Sequence, residues 1–379
     1  MKTNSFSGSG SARLIAHIDL DAIAQNWQVL NKISGNAGAV IKADGYGHGM
    51  IPVATALAHA GCQQFFTASF DEALALRGAL PNHQISYFDG IDTADIDEML
   101  AHQITPSINT LKQLHLLADA ARKAQRPIPA MLQLDTGMNR IGASHGDAQA
   151  ILNSPDLKAG QWQLVYSHLV SADEADNPLN EIQRQRFDEL QQSAPPAPRS
   201  LAATGGIMLG QAFHYDLSRP GLGLYGLSPL PEFADQLIPA LSLSAKVLQV
   251  RNAKVGETVG YGATYQLTRD SRLAAIAGGY ADGISRKLSD LGYVAKDGLT
   301  APMVGRVSMD VHVVDITDWP EDALAEGDRV FLINSAAKNA MTASIIAEKI
   351  DTIPYEVLTT LGLRAKPLYA GAILEQLDL

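Results

Sequence analysis

The sequence predicts an α/β protein with an N-terminal (β/α)8 TIM-like barrel and a C-terminal, mostly β domain. Eight short apolar runs in the first two-thirds of the chain alternate with segments of helical periodicity. Beyond about residue 230 that alternation gives way to strands separated by glycine-containing turns. The length of 379 residues exceeds a single ordinary domain of roughly 100–200 residues.

The eight predicted barrel strands are residues 39–42, 64–68, 85–88, 104–108, 131–135, 164–168, 199–204 and 215–219. Each is a short apolar run, and helical segments lie between them at 51–60, 70–80, 110–122 and 181–192. Strands that alternate with helices imply a parallel sheet. A helix at 21–33, with Ile23, Trp27 and Leu30 on one face, precedes the first strand. The later strands are expected at 241–250, 273–277, 303–304, 311–316 and 329–332, with a short helix near 342–349. Residues 1–12 read as a flexible Gly/Ser-rich tail without the apolar core of a signal peptide. The barrel is assigned to 13–236 and the β domain to 237–379.

Composition excludes several classes. A net charge of −11 argues against a sequence-independent nucleic-acid binder. No apolar run is long enough to span a bilayer, so no membrane partner and a cytoplasmic location are expected. The single cysteine, Cys62, rules out an intrachain disulfide and a multi-thiolate zinc site. No histidine pair has H-E-x-x-H spacing, so no metal is expected.

Five polar residues fall at or just past the C-terminal ends of predicted barrel strands, the face where barrel active sites lie. They are Lys42, Arg140, His168, Thr204 and Arg219. Taken singly, each has an ordinary structural reading. Lys42 is either a snorkelling lysine or a nucleophilic amine with a lowered pKa. Arg140 is a solvated turn residue or an anion binder, and His168 a structural or catalytic histidine. The turn from Arg219 through Gly226 is an ordinary loop or a phosphate cradle. The glycines after Lys42 are not a dinucleotide fingerprint, because G-x-G-x-x-G fails at Met50.

The run Ala39-Val40-Ile41-Lys42-Ala43-Asp44-Gly45-Tyr46-Gly47-His48-Gly49 closely resembles the pyridoxal-lysine motif of the alanine racemase family. Asp135 through Gly142, Arg219-Pro220-Gly221, Gly260 through Tyr265, Gly279 through Gly283, Gly305 through Asp310 and Ile353 through Glu356 are similar to its other motifs, in the same order. The resemblance implies that Lys42 holds pyridoxal 5'-phosphate as a Schiff base and then acts as one of two bases in racemising alanine. It implies that Tyr265 is the second base, entering from the other subunit of a head-to-tail homodimer. A phenol is a poor base at neutral pH unless a positive neighbour favours the phenolate. His168 resembles the residue that contacts this tyrosine, with Arg219 behind it.

Arg219 resembles the residue that faces the pyridine nitrogen, to which it can donate a hydrogen bond but not a proton. Tyr46, Thr204, Gly221, Leu222 and Tyr355 match positions that hold the cofactor phosphate. Arg140 and the backbone of Met309 match positions that grip the substrate carboxylate. Asp173, Tyr280, Arg286, Arg306 and Ile353 resemble a narrow access corridor that favours small side chains. The biological role so implied is supply of D-alanine for peptidoglycan.

Two positions depart from the family pattern. Ala203 replaces an asparagine often found before Thr204, and Gln133 stands where many members carry a carbamylated lysine. Gln133 cannot be carbamylated, so its amide or a small anion is expected to orient Arg140, with no CO2 dependence. The alternatives are a broad-specificity or serine racemase, or a pyridoxal-phosphate decarboxylase on the same architecture. The latter often uses a cysteine on the second face, whereas Cys62 lies in the second barrel unit. A lone-barrel pyridoxal-phosphate carrier would lack the β domain.

Overall fold

The computed structural model describes residues 11–334, 339–362, 364–372 and 374. They form two compact units, Asp21–Ile238 and residues 11–20 with 239–374.

In the first unit, seven strands hydrogen-bond in sequence order: Ala39–Val40, Gln64–Thr67, Gln84–Tyr87, Thr105–Ile108, Ile128–Gln133, Gly160–Tyr166 and Arg199–Ser200. Every neighbouring pair is parallel. The strands are buried along most of their length, as expected of a sheet covered by helices. Those helices start where short polar side chains cap them. Ser69, Thr110 and Ser144 each accept a hydrogen bond from the third helical amide.

The eighth predicted strand, 215–219, forms no ladder of its own, yet it closes the ring. The Ser218 amide donates to Asn36 O (2.9 Å), Gly38 N to Ser218 O (3.0 Å) and Val40 N to Pro220 O (2.9 Å). On the other flank Asp216 N donates to Arg199 O (3.0 Å) and Arg219 N to Ala202 O (2.8 Å). Pro220 has no amide to continue the ladder and Gly221 begins the next turn, so pairing with 36–40 ends after these three bonds, with one bridge, Ala37 to Ser218.

The second unit is a mixed sheet built on the long strand Leu241–Ala253. Leu14–Asp19, Ser271–Ala277 and Arg329–Ile333 all pair with it antiparallel. Leu14–Asp19 also runs parallel to Ala365–Ala370. The N-terminal strand therefore belongs to the β sheet and not to the barrel assigned to 13–236. Its apolar residues, buried on both faces, find their strand partners in the far part of the chain. The strand expected at 303–304 is a single bridge, Met303 to Val314. Among the described residues no helix is long and apolar enough to cross a membrane.

Two buried histidines, His48 and His312, and the half-buried His17 are held neutral. Burial lowers His48 and His312 to about 4, and burial with the Arg329 charge lowers His17 to about 4. Unfolded histidine titrates near ~6.5. The unfolded chain therefore takes up protons first, and the stability these groups confer is full above that value and lost as pH falls towards about 4. The urea midpoint is expected to drop between about pH 7 and about pH 5. His312→Asn should flatten that slope, and an unchanged slope would show that His312 is not a neutral buried group.

Candidate active site

The residue after the first barrel strand is Ile41, and Lys42 follows it into an unusual turn. Ala43, Asp44, Gly45 and Tyr46 have φ of 53°, 50°, 62° and 53°. Left-handed backbone costs a non-glycine residue about 1–2 kcal/mol, so the turn must be held from outside. Asp44 Oδ1 accepts the Met50 amide at 2.7 Å, and the Glu72 carboxylate accepts the Ala43 amide at 2.7 Å. His48 Nδ1 donates to Tyr46 O at 2.9 Å. The turn directs the Lys42 side chain and the Tyr46 hydroxyl from the same short stretch.

Four of the five predicted rim residues influence one another's charge. Burial and then the Arg140 charge lower the Lys42 amine below its ordinary value, opposed by Glu72 and Asp89. His168 is pushed down to about 3, by burial first and then by Arg219, Arg140 and Lys42. It is a neutral imidazole at physiological pH. Arg219 is buried, and burial lowers it to about 10, so it stays charged at neutral pH. Its guanidinium donates to Ser167 O at 2.6 Å and to Ser200 Oγ. It lies 4.7 Å from the Tyr166 ring centroid, over the face that attracts a cation.

Thr204 lies beyond the seventh strand, at the start of the helix Thr204–Met208. Its hydroxyl oxygen accepts the amides of Gly221 (3.2 Å) and Gly223 (3.1 Å). Leu222 opens a short 3-10 turn, whose first amides have no acceptor within the turn. A Cβ on Gly221 would sit 2.4 Å from Tyr46 Oη. Tyr46, Thr204, Gly221 and Leu222 are thus brought together as a cradle of hydroxyls and glycine-turn backbone, suited to a phosphate.

Arg140 projects from a turn tied by Asp135, whose carboxylate accepts the amides of Gly137, Met138 and Asn139, each at 2.8 Å. Arg140 is exposed and, among the described residues, makes no ion pair. Among the described residues Gln133 makes no hydrogen bond to the Arg140 side chain, so of the two expected ways of orienting Arg140 its amide does not do so directly. Its Nε2 donates to Ile141 O (3.0 Å) and its Oε1 accepts from Tyr166 Oη (2.9 Å). Both ends of the amide are used, and Gln133 acts on Arg140 through the backbone of the next residue.

Asp173 lies in the loop after Gly160–Tyr166. The remaining predicted residues belong to the β unit. Tyr265 pairs with Val259 in a two-stranded ribbon and packs on Ala253, Leu267, Leu273 and Val304. Arg306 lies against Gly260 and Gly262 of the same motif, where added Cβ atoms would approach within 3.2 and 2.8 Å. Tyr280 and Ala281 donate to Ser308 O and Met309 O (3.0 and 3.1 Å), docking one motif on the next. Met309, Tyr280, Ile353 and Tyr355 are exposed on this unit, and Arg286 begins a 3-10 turn.

Sequence reading missed the residues that hold the others. Gln183 donates to His168 O (3.0 Å) and to Thr136 Oγ (3.2 Å). Ser200 and Tyr166 seat Arg219. None carries a motif of its own. Glu72 had one, the S-x-x-E pattern of Ser69 to Glu72, but that pattern normally signals only a local helix cap.

The chain matches the family descriptions "Alanine racemase, N-terminal domain" over residues 18–229 and "Alanine racemase, C-terminal domain" over 240–369. It is 40% identical to an alanine racemase of Acidiphilium cryptum over 92% of this chain and 96% of that protein. A Rickettsia rickettsii alanine racemase is 38% identical over 93% and 98%. Among solved structures, the Bartonella henselae alanine racemase with covalently bound pyridoxal phosphate superposes with a TM-score of 0.90 at 34% identity, covering 95% of this chain and 100% of that one. The Streptomyces coelicolor A3(2) alanine racemase gives 0.89 at 32%, covering 96% and 99%.

The cradle yields a stability test. Gly221→Ala forces a side-chain carbon against Tyr46 Oη, and overpacking of this kind costs about 1–3 kcal/mol. Urea unfolding should register that loss. Adding Tyr46→Phe, which removes the hydroxyl, should recover part of it. Strict additivity of the two substitutions would show that the glycine is not required by that contact.

Proposed function

This chain belongs to the alanine racemase family, and on that premise we propose how its residues interconvert L-alanine and D-alanine. It is a pyridoxal-phosphate-dependent isomerase. The residues present fit that cofactor. Lys42 offers an amine already lowered by burial, Tyr46, Thr204 and the Gly221 turn offer a phosphate cradle that a Cβ would fill, and Arg219 offers a buried fixed donor. When bound, pyridoxal phosphate supplies the electron sink that makes an amino acid's Cα proton labile.

The chain's own groups do the rest. Lys42 would hold the cofactor, and its free Nζ would take or return the proton on one face of Cα. Tyr265 of the partner subunit serves the opposite face through Oη, and neutral His168 hydrogen-bonds it. Arg140 and the Met309 amide orient the substrate carboxylate. Arg219 remains charged and donates a hydrogen bond towards the ring nitrogen without giving it a proton. Tyr355 completes the phosphate site, and Asp173, Tyr280, Arg286, Arg306 and Ile353 line the approach. A head-to-tail homodimer, a cytoplasmic location and supply of D-alanine to the cell wall complete the proposal.

The observation that carries this reading is the Lys42 amine, with its lowered pKa, under the influence of an exposed Arg140 that makes no ion pair among the described residues. It pairs a nucleophile with a carboxylate binder. Cys62 speaks against a decarboxylase that uses a thiol. It is buried, its pKa pushed up to about 12, and it precedes its strand, at the N-terminal side.

L-alanine or D-alanine incubated with the protein in D2O should lose optical rotation as deuterium enters Cα, and a serine arm sets the substrate preference. Removing one acid–base group costs about 10²–10⁴-fold. Tyr265→Phe should lose racemisation by that order yet still exchange the Cα proton of one enantiomer. Equal exchange of both would sink the second-base role. Mixing Lys42→Ala with Tyr265→Phe protein should restore activity through mixed dimers, and failure to do so after subunit exchange would place both bases on one chain.

A further inference from the structure

We propose that Glu72 is a positioning residue for the chemistry at Lys42, its carboxylate clamping the left-handed turn that carries Lys42 and Tyr46. This rests on Lys42 being the cofactor-bearing amine. Glu72 occupies the third position of the helix Phe70–Ala79, capped by Ser69, whose hydroxyl accepts the Glu72 amide at 3.3 Å. In an ordinary capping box the acid would fold back onto the amide of the cap residue itself. Here it does not. Oε2 accepts the Ala68 amide at 2.8 Å and Oε1 accepts the Ala43 amide at 2.7 Å.

One carboxylate thus joins the end of the second strand, Gln64–Thr67, to the first residue of the turn, 29 positions earlier in the chain. Ala43 is also the first residue of the turn with positive φ, at 53°. Its amide has to point away from a normal helical or extended path, and Glu72 supplies the acceptor there. Asp44 clasps the other end of the turn through the Met50 amide. With both carboxylates in place, the backbone that follows Lys42 is held in a conformation its residues would otherwise leave.

Glu72 also acts through its charge. Burial lowers the pKa of Lys42 most; among the charges that bear on it, Arg140 lowers it and Glu72 and Asp89 raise it. Neutralising Glu72 leaves Arg140 opposed by Asp89 alone, so the free amine of Lys42 persists to lower pH. A clamp that only stabilised the fold would not move that titration.

The variants are Glu72→Gln, which removes the charge and sets an amide donor against one of the two N–H groups, and Glu72→Asp, which keeps the charge but is too short to span both. Apoprotein would be titrated with pyridoxal phosphate by absorbance, and attachment at Lys42 trapped with borohydride across a pH series. Loss of a hydrogen bond to a charged group predicts about tenfold weaker uptake for both variants. The acid limb of trapping should move to lower pH in Glu72→Gln and stay in place in Glu72→Asp. Wild-type uptake and an unmoved limb in Glu72→Gln would overturn the proposal. If Glu72→Gln does not fold, wild-type uptake by Glu72→Asp overturns the clamp by itself. A wild-type protein that traps no cofactor, or traps it equally in Lys42→Ala, would instead overturn the reading of Lys42.

Discussion

The hydrogen bonds between residues 36–40 and 218–220 are the constraint on which the site depends. They join the last segment of the barrel to the first. Without them Arg219 and Gly221 would sit at one edge of an open sheet and Lys42 at the other. With them, the cradle formed by Thr204 and the Gly221 turn meets Tyr46, and the charge of Lys42 joins that of Arg219 in bearing on His168. The closure is three bonds around one bridge and goes no further, because proline and glycine interrupt the segment. That irregularity also releases the backbone to form the phosphate-shaped turn.

A second layer of polar groups turns this ring into a chemical environment. Arg219 is buried but not bare, since Ser167, Ser200 and the face of Tyr166 surround it with fixed dipoles. Tyr166 in turn hydrogen-bonds Ser107 (2.8 Å) and Gln133. Gln133 passes the order on to the loop of Arg140 through Ile141. Groups proposed to serve the cofactor ring and the substrate carboxylate are therefore braced by one connected network in the barrel interior. Because each member is partnered, its members cannot shift singly without leaving a buried polar atom unsatisfied.

The parts of the fold that were legible in the sequence are those with local signatures. Helical periodicity located Leu20–Ser34 and Leu111–Ala124 to within a few residues, and apolar runs located the barrel strands. The strand Leu14–Asp19 was missed because its partners, Leu241–Ala253 and Ala365–Ala370, lie more than two hundred residues away. The site divides in the same way. Lys42 and Arg219 sit in contiguous motifs and could be read directly. Gln183, Tyr166 and Glu72 act across the chain, and nothing in their immediate neighbours announces what they hold. For Gln133, the sequence position left open whether its amide or a small anion orients Arg140; its hydrogen bonds lead to the backbone beyond Arg140, which local sequence does not announce.

The placement of Leu14–Asp19 has a consequence for how the chain comes to be folded. The barrel is an insertion: the β unit begins before it and resumes after it, with Asp19 N donating to Ala240 O at 2.9 Å where the two lengths meet. During synthesis the first strand emerges early and stays without its sheet until the barrel has been made. Once Leu241–Ala253 arrives, pairing with Leu14–Asp19 draws the two ends of the barrel segment together. A long loop closed in this way has already given up part of its disordered freedom, at a cost that grows only slowly with its length. The sheet thereby acts on the barrel as a non-covalent crosslink, and partial unfolding of the β unit would release the barrel's ends before anything at the rim of Lys42 had changed.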